Sequence, residues 1–151
     1  MKRIVGVDPG WGITAVRVMT GLLFAVHGYQ KFAGGIGGVV GFFAKIAIPL
    51  PGLMAPFIAT LELVGGILLI LGLATRVLGC LFAAEMLVTT LWVKIPGQGW
   101  NASDLDRMLL VACVLFILDG PGVAALDRFW WEREEWRGND ELPTPAAGAA
   151  S

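Results

Sequence analysis

The stretch Ala55–Ala74, APFIATLELVGGILLILGLA, carries a single charged residue, Glu62. A membrane-spanning helix needs about 20 mostly apolar residues, with a range of roughly 17–25. This segment therefore reads as a crossing, and its one carboxyl as a group that must be accounted for. Working outwards, Val77–Val93 is a second apolar run, separated from the first only by the short link Thr75-Arg76. So short a link makes the two helices antiparallel neighbours. Towards the N-terminus, Trp11–His27 is a third run. Leu105–Leu126 is a fourth and weaker one, densest at Met108–Leu118. The first and last qualify as spans with their polar flanks at the headgroups, and the last is where a hydropathy window hesitates.

Composition supports a membrane protein. The 151 residues suffice for one domain, and they are 56% apolar and 15% charged, against roughly 45–50% and about 25% in soluble proteins. Mean hydropathy is +0.74. A water-soluble domain of this size needs a polar coat that this chain cannot supply. In lipid the outside of a bundle can be as apolar as its inside. The net charge of -1 speaks against nucleic-acid binding, which wants a basic stripe. No signal peptide is expected, because Arg17 interrupts the apolar region behind Lys2 and Arg3.

The connections complete the expected fold. Between the first two spans, Gly34, Gly35, Gly37, Gly38 and Gly41 accompany Val39, Phe42, Phe43 and Ile46. Those four apolar residues recur at i, i+3, i+4 and i+7, the face of a short amphipathic helix, which Pro49 and Pro51 then stop. Pro96–Asn101 reads as a turn-rich loop. The expected architecture is all-α: a four-transmembrane-helix bundle over residues 1–128, with a short amphipathic helix between helices 1 and 2. Residues 129–151 follow as an interfacial segment around Phe129, Trp130, Trp131 and Trp136 and a disordered Pro/Ala/Gly-rich tail. Four spans put Lys2, Arg3, Arg76, Arg128, Arg133 and Arg137 on one side, and Lys31, Lys45, Lys94 and Arg107 on the other. The excess of basic residues expects both termini in the cytoplasm.

Ionisable groups inside the bilayer carry the functional information, since each costs about 2.5–3.5 kcal/mol on insertion scales. Arg17, Gly21, Phe24, Gly28 and Lys31 share one face of the first helix, and His27 lies near its far end. Glu62 and Arg76 share a face of the second, and Glu85 falls near the middle of the third. At about 1.5 Å per residue, Arg17 and Glu85 enter to similar depths from the inner side. Glu62 matches His27 and Lys31 from the outer side. Two pairs are therefore expected: Arg17 with Glu85, and Glu62 with His27 or Lys31. The plain alternative for the first is an ion pair that sets helix register. For Lys31 and Arg76, at helix ends, it is snorkelling to the headgroups. Glu62 is harder to explain away, because a carboxyl so placed must be paired, protonated or facing water.

Other chemistries find no support. The single histidine excludes a haem held by two histidines of one chain, and equally a di-iron site of two Glu-x-x-His motifs. Cys80 and Cys113 form no C-x-x-C, and their axial separation of roughly 12 Å on the helix rise exceeds disulfide reach. No metal site is expected. The glycine run lacks the last glycine of G-x-G-x-x-G, where Val40 stands, so no dinucleotide site is expected either.

Three segments together are distinctive: RVMTGLLFAVHGYQKF at Arg17–Phe32, ATLELVGGILLILGLATR at Ala59–Arg76, and DGPGVAALD at Asp119–Asp127. Across residues 11–128 the chain resembles the DoxX family of bacterial four-helix integral membrane proteins. The resemblance implies a multi-pass protein of the bacterial inner (plasma) membrane. Relatives of that kind serve as membrane subunits of thiosulfate:quinone oxidoreductase or work beside redox and sulfur-handling partners. Others act in the assembly or maturation of partner proteins. Arg17, His27, Gly28, Lys31, Glu62, Gly65, Gly66, Arg76 and Gly120–Gly122 match the family pattern.

The leading expectation is the membrane subunit of a redox complex, with His27 and Glu62 relaying protons to or from a quinone headgroup. The chain offers no electron carrier of its own, so the redox centre belongs to a protein partner or to the substrate. The alternative is an assembly factor or scaffold with no catalytic activity, acting as a homo-oligomer or with a protein partner. A small-solute permease is weaker still, for no inverted repeat is visible. The composition itself is testable. The protein should stay in the membrane pellet after alkaline carbonate washing and enter solution only with detergent. A monodisperse species in plain buffer would refute the membrane assignment.

Overall fold

The computed structural model describes residues 10–98 and 103–127, and among these every regular element is helical. Helix α1 covers Gly10–Ala33 and α2 Ile36–Lys45. Helix α3 runs Pro51–Leu71 and α4 Thr75–Gly97, and α5 covers Asp104–Asp119. Three of the five, α1, α3 and α4, are long and apolar enough to cross a membrane. Helix α5 has 16 residues, about 24 Å at the α-helical rise, shorter than a hydrocarbon core of roughly 30 Å.

Sequence chemistry explains most boundaries. Pro51 opens α3 at its first turn, where a missing N–H costs nothing. The helix ends at Gly72, whose φ of 72° closes the last turn. The link between α3 and α4 is therefore Gly72–Ala74, and Thr75 already begins α4. Helix α2 ends at Lys45, and Ala47 and Leu50 then take left-handed backbone conformations before Pro51.

Both α3 and α4 contain a π-helical turn, at Leu61–Gly65 and Thr89–Lys94. The second corrects the reading of Pro96 as part of a loop, because the helix continues over Ile95–Gln98. The Ile95 N–H reaches back to Thr90 O, so Pro96 falls in the first turn of a fresh α segment, where proline is tolerated. The segment around Trp130–Trp136 and the Pro/Ala/Gly-rich tail lie outside the described residues.

The helices pack chiefly as two pairs, α1 on α3 and α4 on α5. Lipid supplies no hydrophobic drive for helix association, so close packing must do it, and small residues permit that. A Cβ added at Gly21 would lie 2.7 Å from Gly66 O, and one at Gly66 would lie 2.5 Å from Ala25 N. At Gly28 it would fall on Leu63 N and Ala59 O. Backbone thus meets backbone along this seam. The pairs join where Phe24 stacks on Phe82, with ring centroids 3.8 Å apart and planes 9° from parallel. Around them Leu69, Leu78, Met86, Leu109, Cys113 and Phe116 complete the core. Helices α3 and α4 touch where Gly65 faces Leu78 and Phe82.

Large apolar side chains cover the outside as well, among them Met19 at 59% exposure, Val77 at 62% and Val111 at 65%. An exterior so apolar is suited to lipid and not to water. The seam gives a direct test. Gly66→Val should lower stability by at least about 1–3 kcal/mol, the usual cost of overpacking. Gly37→Ala, with nothing within 4 Å, should change it little. Thermal unfolding in detergent measures both.

Candidate functional site

The two ends of the bundle treat their charges differently. At the end where α3 turns into α4, Arg17 is 1% exposed. Its guanidinium donates to the carbonyls of Pro121, Ala124 and Ile70. The loop after α5 folds back over this end, where Asp127 accepts from the N–H groups of Ala74 and Thr75 at 2.8 and 2.9 Å. A carboxylate at a helix N-terminus satisfies free donors and complements the dipole. The Asp127 N–H in turn donates to Gly72 O at 2.9 Å. Gly122, at φ 80°, lies against Thr14, so a Cβ there would meet Thr14 Oγ1 at 2.7 Å.

This arrangement corrects the expected Arg17–Glu85 pair. Arg17 donates through its terminal nitrogens to two loop carbonyls and to that of Ile70 in α3, and Glu85 instead lines the cavity at the other end with Glu62, Lys31 and Asp106. Axial arithmetic alone could not anticipate that a returning loop would bring bare carbonyls to Arg17. Arg76 is exposed at the same end, near Gly120, and makes no ion pair with another described residue.

At the other end lies a cavity of 820 Å³ beneath α2. Its walls are mainly apolar, from Phe42 and Phe43 of α2, Phe57 and Leu61 of α3, and Met86 and Leu109 beyond. Set into them are His27, Lys31, Glu62, Glu85, Lys94 and Asp106. Glu62, 3% exposed, accepts from the half-buried Lys31 Nζ in an ion pair. Lys94 Nζ bonds Asp106 Oδ1 at 2.8 Å. The Glu85 carboxyl reaches that of Glu62. Glu85 Oε2 and Asp106 Oδ2 are buried without a hydrogen-bond partner.

Of the two partners the sequence allowed for Glu62, the ion pair is with Lys31, while His27 contributes to the cavity wall. Both π turns contribute lining residues, Leu61 and Glu62 from one and Thr89, Val93 and Lys94 from the other. Single π turns within α-helices recur at functional sites. Helix α2 has no buried residue, and Trp92 Nε1 of α4 donates to Ile46 O just beyond it at 3.1 Å.

Lys94 and Asp106 were missed as site residues by sequence reasoning, although a signal existed. They flank one helix–helix connection, so their side chains meet when α4 and α5 pack. The lining admits a small ligand, since such sites span about 300–1,000 Å³ with apolar walls and a few polar groups. Among the described residues no group of three or more His, Cys, Asp or Glu is placed to hold a metal ion.

Fold and site together define a helical membrane protein with an ionisable cluster lining a half-open cavity. The DoxX family profile matches residues 12–95, and the chain belongs to this family. It is 40% identical over 118 residues to the "Putative oxidoreductase CatD" of Bacillus subtilis, covering 78% of this chain and 86% of that one. With the inner membrane protein YphA of Escherichia coli it shares 30% identity, over 74% of this chain and 85% of the relative. With the inner membrane protein YqjF of the same organism it shares 28%, over 85% and 95%. No solved structure matches the chain.

The ion pair can be dissected. Lys31→Met should destabilise the protein by on the order of 3 kcal/mol, because losing one partner strands the other's buried charge. The double variant Lys31→Met/Glu62→Gln should recover most of that loss in a denaturation cycle in detergent.

Proposed function

We propose that this protein is the membrane subunit of a redox complex that exchanges electrons with quinone. The observation carrying this reading is that His27 and Glu62, two groups able to move protons, line one apolar cavity large enough for a ligand. Quinone chemistry couples electrons to protons, and a relay group must come within about 3 Å of the quinone oxygen or one water away. His27 and Glu62 would hold and pass protons there, while Lys31 balances the Glu62 charge. Phe42, Phe43 and Phe57 would embrace the flat ring. The electrons themselves pass to a partner protein. The name of the Bacillus relative, an oxidoreductase, agrees with this assignment.

In this reading α5 is a fourth, short span, its polar start Asp104 and Arg107 meeting the headgroup region. Both termini face the cytoplasm, following the distribution of basic residues. The cavity then opens in the outer half of the membrane. Purification in mild detergent tests the proposal. A quinone should co-purify with the wild-type protein and be lost in Glu62→Gln assayed in its folded state, below its own unfolding temperature. A stoichiometric protein partner with no bound small molecule would overturn it in favour of a scaffold or assembly role.

A further inference from the structure

The cavity is rich in carboxylate acceptors. Three carboxyl groups, Glu62, Glu85 and Asp106, share it with two lysines, Lys31 and Lys94. Each lysine is committed to one carboxylate, Lys31 to Glu62 and Lys94 to Asp106. Glu85 is left over and turns to Glu62.

Two acceptor atoms remain buried and unmatched, Glu85 Oε2 and Asp106 Oδ2. The Asp106 side chain is only 7% exposed, and both residues line the cavity. A buried polar atom left without a partner is unfavourable, and more so when charged. A ligand bringing O–H donors relieves that cost. One bringing only carbonyl oxygens sets lone pair against lone pair.

We infer that the cavity binds a dihydroxyarene, the reduced form of its redox ligand, in preference to the dione formed on oxidation. The inference rests on the cavity being the redox-ligand site proposed above and adds which form it holds and through which atoms. Hydroxyl hydrogens of the ligand donate to the carboxylates of Glu85 and Asp106, while the aromatic body lies among Phe42, Phe43, Phe57 and Leu109. Sites with buried polar groups built to meet a hydroxyl discriminate strongly against analogues that lack it.

The test uses the full chain in lipid nanodiscs, without oxygen, titrated by calorimetry with durohydroquinone, duroquinone and the dimethyl ether of durohydroquinone. The tetramethyl ring blocks addition to Cys80 or to lysines. Durohydroquinone should bind at least about tenfold tighter than duroquinone, within the range that one matched hydrogen bond supports, and the ether should not bind measurably. Glu85→Gln, which can put an amide N–H where an acceptor stood, should shrink or reverse that ratio. Ala84→Trp, at a small lining residue, should abolish binding of the reduced form.

Equal or tighter binding of duroquinone would overturn the inference while leaving a quinone site in place. No binding by any of the three would remove the redox-ligand reading of the cavity and the inference with it. Selective binding of durohydroquinone with no electron acceptor among co-purifying proteins would uphold the inference and count against the redox complex alone.

Discussion

The rest of the structure depends on α1 and α3 lying backbone against backbone. Gly21, Gly28 and Gly66 leave no room for even a methyl group between the helices. In lipid, burial of apolar surface gives no net advantage to one helix contact over another, so association rests on dispersion and on paired polar groups. The glycines supply the first directly. They also bring Lys31 near enough to Glu62 for an ion pair. That pair depends on the glycine seam as much as on its own two charges.

From this seam the molecule divides into an end that is closed and an end that is not. At the Arg17 end a guanidinium with fork-like donors meets the bare carbonyls of a returning loop. Asp127 caps the helix that starts beside it. The Arg-to-carbonyl bonds and the helix cap explain why a glycine-proline-glycine turn and a late aspartate accompany an arginine far away in sequence. At the other end, charges line a cavity, and unmatched buried atoms occur at both ends, Arg17 Nε and Thr75 Oγ1 at the first and Glu85 Oε2 and Asp106 Oδ2 at the second. The contrast between the ends lies in what the charges face, backbone groups of a returning loop at one and a cavity at the other.

Much of this was legible in the residues. Twenty apolar residues around Glu62, the glycine spacing on α1 and the amphipathic period of Val39–Ile46 are local patterns, and helices in lipid are dictated locally because every backbone group must bond within its segment. Depth matching also put Glu62 level with Lys31. Depth matching failed for Arg17 and Glu85, because it places groups along the membrane normal and says nothing of which way they face around a helix axis. Nor could it foresee the two π turns, each of which shifts the residues beyond it around the helix. Lys94 and Asp106 looked like ordinary helix-end charges until α4 and α5 were packed together.

The sequence by itself therefore determined that this chain is helical and built for lipid, and that its few ionisable side chains need partners, since hydropathy and helical period depend only on neighbours along the chain. Which charge meets which was decided by the tertiary structure alone. So were the loop that claims Arg17 and the gathering of Glu62, Glu85 and Asp106 around one cavity. Those outcomes depend on helix rotation and on contacts between segments as much as 107 residues apart, and no local pattern encodes them.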